Sequence, residues 1–168
     1  MIMVQKVLVF EPNKCTGCRL CEQWCSFSHF EVTNPSKACM HVTRNHEAQI
    51  DLATYCHQCT KAPCILSCKF DALSRDEKTG AIIVDNEKCV GCRTCIHDCP
   101  YAAPVMHPEE KIVLICDLCG GDPQCVSHCP EHAIQYLEVG KADRIHRSVY
   151  TEKMAKSLNK ARGGNENG

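Results

Sequence analysis

The sequence predicts an α+β fold made of two similar small units, in which short strands and helices wrap cysteine-bearing loops instead of a large apolar core. Three observations predict it. Of 17 Cys in 168 residues, 16 fall into four groups of four. Phe, Trp and Tyr make up only 5% of the chain, too little for a conventional aromatic core. The segments flanking the groups repeat, which points to duplicated units.

The third group shows the chemistry most clearly. Cys89-Val90-Gly91-Cys92-Arg93-Thr94-Cys95-Ile96-His97-Asp98-Cys99-Pro100 reads C-x2-C-x2-C-x3-C-P, the bacterial [4Fe–4S] run. Three thiolates within seven residues can curl round one cubane cluster, while the fourth is carried away towards a second. Pro100 stops the local helix because it lacks an N–H and fixes φ. Gly91, without a Cβ, lets the backbone pass close to inorganic sulfur.

The elements follow in order. Lys6-Val7-Leu8-Val9-Phe10 is a short strand, and Glu11-Pro12-Asn13-Lys14 is turn chemistry. Cys15, Cys18, Cys21 and Cys25 form the first group, with Gly17 in the place of Gly91. Ser26, not Pro, follows Cys25, so the helix there can run on. Residues 26–55 separate the first two groups; a turn is expected at Asn34-Pro35-Ser36 and a strand at Cys39-Met40-His41-Val42-Thr43. Cys39 stands outside the groups and is expected to be a small buried hydrophobe. Cys56, Cys59, Cys64 and Cys68 make the second group. A turn at Asp76-Glu77-Lys78-Thr79-Gly80 and a strand at Ala81-Ile82-Ile83-Val84-Asp85 lead into Cys89. After Pro104 comes a polar loop, then a strand at Lys111-Ile112-Val113-Leu114-Ile115, then Cys116, Cys119, Cys125 and Cys129. A helix is expected from Ser148 to Ala161, with fraying from Gly163 on.

The flanks indicate which groups pair. Group two is followed by Phe70-Asp71-Ala72-Leu73 and group three is preceded by Ile82-Ile83-Val84-Asp85. Group four is followed by Glu131-His132-Ala133-Ile134 and group one is preceded by Leu8-Val9-Phe10. The expectation is two bacterial-ferredoxin-like units around four [4Fe–4S] clusters. An inner unit spans 52–103. A discontinuous outer unit spans 1–51 and 104–140, with an insertion at 26–51, and a basic helix or tail occupies 141–168. The fourth Cys of each group then crosses to its partner's cluster. The expected ligand sets are Cys15, Cys18, Cys21 with Cys129; Cys116, Cys119, Cys125 with Cys25; Cys56, Cys59, Cys64 with Cys99; and Cys89, Cys92, Cys95 with Cys68. The competing arrangement pairs groups one with two and three with four, and would leave a 30-residue insertion inside the first unit.

Other uses of the cysteines fit less well. Their odd number, and a start without a charged and then apolar leader, speak for a reducing, cytoplasmic setting and against disulfides. Structural zinc uses pairs of C-x2-C, which groups two and four allow; in groups one and three a third Cys at the same spacing suits a cubane better. No Gly-rich phosphate loop, nucleophile elbow or H-E-x-x-H is present, so no catalytic residue is expected. His57, His97 and His128, near the cysteines, are expected to be loop histidines or N–H donors towards sulfur. No apolar run reaches the length of a membrane span. Seven Lys or Arg against three acids give residues 141–168 a charge of +4, leaving −5 on residues 1–140 of the net −1. This basic stretch is read as a solvated tail or a dock for a partner subunit rather than a nucleic-acid site. Arg19 and Arg93 lie inside groups one and three, and Asp117 and Asp122 inside group four, so the clusters of groups one and three are expected at the higher potentials.

Cys15-Thr16-Gly17-Cys18-Arg19-Leu20-Cys21, Cys89-Val90-Gly91-Cys92-Arg93-Thr94-Cys95, Cys99-Pro100-Tyr101-Ala102-Ala103-Pro104 and Cys116-Asp117-Leu118-Cys119 resemble the four-cluster electron-transfer subunits of molybdenum and tungsten oxidoreductases, over about residues 5–140. That group includes the iron–sulfur subunits of dimethyl-sulfoxide-reductase-type enzymes. The short length, and Phe30 through Pro35-Ser36-Lys37-Ala38, are more similar to the small partners of tungsten aldehyde oxidoreductases and carbon monoxide dehydrogenases. The resemblance implies a non-catalytic relay of electrons through a row of clusters. Its implied partners are a catalytic molybdenum or tungsten subunit and a second carrier such as a flavin subunit. A free polyferredoxin, a partner of a carbon monoxide dehydrogenase or hydrogenase, and end-to-end self-association remain open. Ser26 and the basic tail depart from the family pattern.

Overall fold

β1 (Lys6–Phe10) forms over a run of β-branched and apolar residues and buries Leu8 and Val9. The computed structural model describes residues 5–163. After a single 3-10 turn at Pro12–Lys14, α1 (Leu20–Phe30) carries Cys21 and Cys25 and continues past the group. The buried Ser26 permits this: its hydroxyl donates to the Gln23 carbonyl at 3.0 Å and accepts the Asn34 N–H at 3.0 Å, tying the helix to the loop beyond it.

β2 (His41–Asn45) and β3 (Ile50–Thr54) then form an antiparallel hairpin, with Thr43 opposite Leu52. β2 starts two residues later than the sequence suggests, after the buried Cys39 and Met40. β3 was not expected as a strand because its alternation is inverted: Asp51 is buried while Ile50 and Leu52 are exposed.

α2 (Pro63–Leu66) is a single turn, followed by β4 (Leu73–Arg75) and β5 (Ile82–Val84), paired Leu73 to Val84. Their turn is closed by the Asp76 carboxylate, which accepts from the Thr79 N–H at 2.8 Å and hydroxyl at 2.6 Å. α3 (Thr94–His97) is again one turn. The polar loop expected after Pro104 instead begins with β6 (Val105–Met106), which pairs with β7 (Val113–Leu114). A kinked 3-10 segment (Leu118–Gly121) and α4 (Gln124–Ser127) lead into β8 (Ile134–Glu138). α5 (Val139–Gly163) follows directly and so begins well before the expected Ser148. Residues 1–4 and the expected frayed end, apart from Gly163, lie outside the described residues.

β1 pairs antiparallel with β8, Val9 opposite Gln135, so distant parts of the chain share one ribbon. Main-chain hydrogen bonds from Glu11 to Ala133 (2.8 Å) and from Val139 to Gln5 (3.0 Å) extend it at both ends. β4–β5 and β8–β1 are placed alike: in each, one strand follows the last Cys of a group and the other precedes the first Cys of a group. Apolar burial is divided among three small clusters, each containing cysteines. Tyr55 is the only Phe, Trp or Tyr buried among the described residues.

Candidate metal centres

Each cysteine group opens with the same backbone turn. Two residues after its first Cys the chain is left-handed: φ is 70° at Gly17, 50° at Gln58, 66° at Gly91 and 60° at Leu118. Glycine adopts this freely, whereas at Gln58 and Leu118 it costs about 1–2 kcal/mol each. The turn directs an amide at sulfur, Gly17 N–H to Cys15 Sγ at 3.4 Å, with the Gln58 and Leu118 N–H groups serving Cys56 and Cys116 in the same way. A second left-handed residue lies three beyond the last Cys at Asp71, Ala102 and His132. In the first group α1 continues there instead.

The thiols gather in four sets. Cys15, Cys18, Cys21 and Cys129 line one cavity, whose apolar walls include Phe10, Val42 and Ile134. Cys89, Cys92, Cys95 and Cys68 line another, walled by Phe70, Leu73 and Val113. Cys25 lies within electrostatic reach of Cys116, Cys119 and Cys125. Cys99 and Cys59 stand in the same relation to Cys56 and Cys64. Approaches between sets string them together: Cys21 with Cys125, Cys116 with Cys56, and Cys64 with Cys95. The two cavities therefore sit at the ends of a row. The two exposed cysteines, Cys18 and Cys92, belong one to each end.

Burial makes these thiols hard to ionise. It pushes Cys56 up to about 12 and Cys95 up to about 11. Burial and then the Glu22 carboxylate push Cys21 up to about 12. Cys116 and Cys125 are also raised by burial. Packing such thiols in fours favours a cationic occupant that holds them as thiolates. Cys25 is lowered, by hydrogen bonding from Cys39 and then from His29. The Cys39 N–H donates to Cys25 Sγ at 3.2 Å, and His29 bridges the Cys25 carbonyl (2.8 Å) and the Asp117 carboxylate (3.0 Å). Cys39 itself is buried against Cys25 and within electrostatic reach of Cys116.

Several neighbours of the thiols had no sequence signal. Glu22, next to Cys21, has no accessible surface. Its Oε1 accepts the Val42 N–H at 2.5 Å and its Oε2 is 2.9 Å from Arg19 Nε. Arg19, one of the two arginines on which the higher expected potentials rest, is thus paired with a buried carboxylate. The Asp51 carboxylate packs against Gly17, 2.7 Å from where a Cβ would stand. Gln58, 2% exposed, donates to the Cys116 carbonyl at 2.7 Å and accepts the Ile82 N–H at 2.8 Å. Among the histidines, His57 is stacked between Tyr55 (4.7 Å) and Tyr101 (4.0 Å), and His128 on Trp24 (3.5 Å). His97 is exposed beside Asp98.

No described cysteine forms a disulfide, and among the described residues no helix is long and apolar enough to cross a membrane. The family model of the 4Fe-4S dicluster domain matches residues 47–139. The polyferredoxin-like subunit of aliphatic sulfonate oxidoreductase from Pyrococcus furiosus is 39% identical over 157 residues, covering 92% of this chain and 90% of its own. The electron transport protein HydN of Escherichia coli is 31% identical over 167 residues, covering 84% and 93%. A chain of the BamBC active-site complex of benzoyl coenzyme A reductase is 28% identical with a TM-score of 0.49, covering 79% and 75%. With a family model matched over more than half its length and relatives alike from end to end, the chain belongs to the 4Fe-4S dicluster domain family.

Proposed function

We propose that this chain is the electron-transfer subunit of an oxidoreductase and that its sixteen grouped cysteines hold four [4Fe–4S] clusters in a row. The carrying observation is the end-to-end order of the four thiol sets, bounded by the two cavities with Cys18 and Cys92. Bound clusters supply one-electron redox chemistry.

The residues fit that cofactor. Each set offers four soft sulfur donors, and the repeated left-handed turns turn backbone amides towards sulfur. Gly91 leaves room where a Cβ would come within 2.7 Å of the Lys111 carbonyl. Apolar residues such as Phe10, Val42, Leu73 and Val113 exclude water from the end sites, while Cys18 and Cys92 keep each end close to solvent and to a docking partner. Two ferredoxin-like units organise the ligands. β4–β5 joins the groups of the inner unit, and β1–β8 joins those of the outer one, with the crossing ligands Cys68, Cys99, Cys25 and Cys129. In this reading the chain serves another subunit's chemistry. The subunit designation of the Pyrococcus relative supports that role. The motif resemblance to partners of molybdenum and tungsten enzymes supports a catalytic subunit of that kind.

Anaerobic purification of the tagged chain from its own host, with Fe, Zn, Mo and W measured together, tests the proposal. About sixteen iron per chain, four for each of four cubanes, with a stoichiometric large subunit and Mo or W, supports it. The same iron without a partner leaves a free polyferredoxin, and zinc in place of iron refutes the cluster assignment.

A further inference from the structure

The two ends of the row differ in buried charge. At the Cys15 end, Glu22 is fully buried and Asp51 is 9% exposed. Glu131 also lines that cavity but is exposed and so screened. The cations facing these acids, Arg19 and Arg44, have side chains 54% and 55% exposed. Arg44 stands 4.0 Å from Asp51. Water screens the exposed cations, while the buried carboxylates act on the site through protein.

The Cys68–Cys89–Cys92–Cys95 end repeats the backbone but not the charge. The residue after Cys95, in the place of Glu22, is Ile96. The group packed against Gly91, in the place of Asp51 against Gly17, is the neutral carbonyl of Lys111. The lining residues of this cavity include Arg93 and no carboxylate. Lys69 lies within electrostatic reach of Cys92, and the Thr94 hydroxyl is 3.5 Å from its sulfur. The nearby acids Asp71 and Asp98 are exposed, Asp98 beside His97. Backbone donors to sulfur occur at both ends, from Gly17 to Cys15 and from Thr94 to Cys92.

Reduction adds negative charge to a cluster, so fixed buried carboxylates oppose it and nearby cations favour it. We infer that Glu22 and Asp51 are potential-setting residues: they hold the Cys15 end at a lower reduction potential than the Cys89 end. An electron shared between the two end sites then settles at the Cys89 end, one site being oxidised as the other is reduced. This deepens the four-cluster reading and rests on it. It also reverses part of what the motifs suggest, since Arg19 and Arg93 sit at equivalent positions in their groups and only Arg93 escapes a buried counter-charge.

The test is an anaerobic redox titration of the iron-loaded full chain, followed by electron paramagnetic resonance. Glu22→Gln keeps the acceptor for the Val42 N–H and removes the charge; Asp51→Asn removes the charge beside Gly17 with little change of shape. Each is expected to raise one and the same potential, the double variant further, and to leave the other three in place. Lys69→Gln is expected to lower a different potential, one that lies above the potential raised by Glu22→Gln. Should Glu22→Gln fail to assemble, Asp51→Asn and Lys69→Gln carry the same test. Unchanged potentials in variants that retain all their iron overturn the inference, as does a Glu22-sensitive potential that is the same as, or lies above, the one that Lys69→Gln lowers. A wild-type chain with markedly less than about sixteen iron overturns the four-cluster reading itself, and iron analysis before titration tells the two failures apart.

Discussion

The Gln58 side-chain amide donates to the Cys116 carbonyl at 2.7 Å and so links two neighbouring thiol sets in the middle of the row. Its oxygen also accepts the Ile82 N–H at the start of β5. One buried amide therefore satisfies two backbone groups from different hairpin systems, and it does so from a left-handed backbone position with φ of 50°. Gln58→Leu, similar in volume, leaves both groups unpaired. The expected loss is about 2 kcal/mol or more of stability, since a buried polar group without a partner costs roughly 1–3 kcal/mol. Anaerobic denaturant titration of the iron-loaded chain measures it; a change under about 0.5 kcal/mol would mean that water replaces the amide.

The glycines separate two costs. At Gly91, φ is 66° and an added Cβ meets the Lys111 backbone carbonyl at 2.7 Å. At Gly120, φ is 65° but nothing lies within 4 Å of the added atom. Both alanine variants incur the left-handed penalty of about 1–2 kcal/mol. Only Gly91→Ala must also push a main chain aside, and it is expected to empty the Cys89 site, leaving about twelve iron per chain where Gly120→Ala keeps about sixteen. Equal iron contents would show that the loop can move.

Legibility of the sequence followed the range of each interaction. β1 occupies the five residues expected from their composition, and α1 runs past Cys25 because Ser26 does not stop it. Three thiols of each set are neighbours in sequence, so their grouping can be read from spacing alone. The fourth arrives through ribbons such as β1–β8, which only the repeated flanks hint at. What stayed hidden is tertiary. β3 buries an acid and exposes its apolar residues, so pattern reading fails there. Glu22 looks like an ordinary charge on a helix until Val42 and Arg19 close over it.

Cys25 and Cys39 lie in hydrogen-bond contact but have different expected roles. Cys25 belongs with Cys116, Cys119 and Cys125, whereas the contribution of Cys39 to Cys25 that survives substitution is its backbone N–H, 3.2 Å from sulfur. Cys39→Ala retains that amide and leaves a cavity of one sulfur atom; it is expected to keep full iron at a cost of about 1 kcal/mol. Cys25→Ala is expected to lose or degrade one cluster. Iron content together with the low-temperature resonance spectrum checks both, and iron loss in Cys39→Ala would make Cys39 a ligand.

Removing iron should unfold the chain. The apolar clusters are small, Tyr55 is the only large aromatic buried among the described residues, and each cluster is completed by cysteines. Without a cationic occupant, the sets leave several raised, unpaired thiols facing one another across the sites. Metal binding and folding are then one equilibrium. Anaerobic chelation is expected to abolish the circular dichroism of the cysteine-bearing region and its resistance to proteolysis, with α5 contributing any helical signal that remains. Retention of the full spectrum after complete iron removal would show that β1–β8 and β4–β5 hold the units on their own.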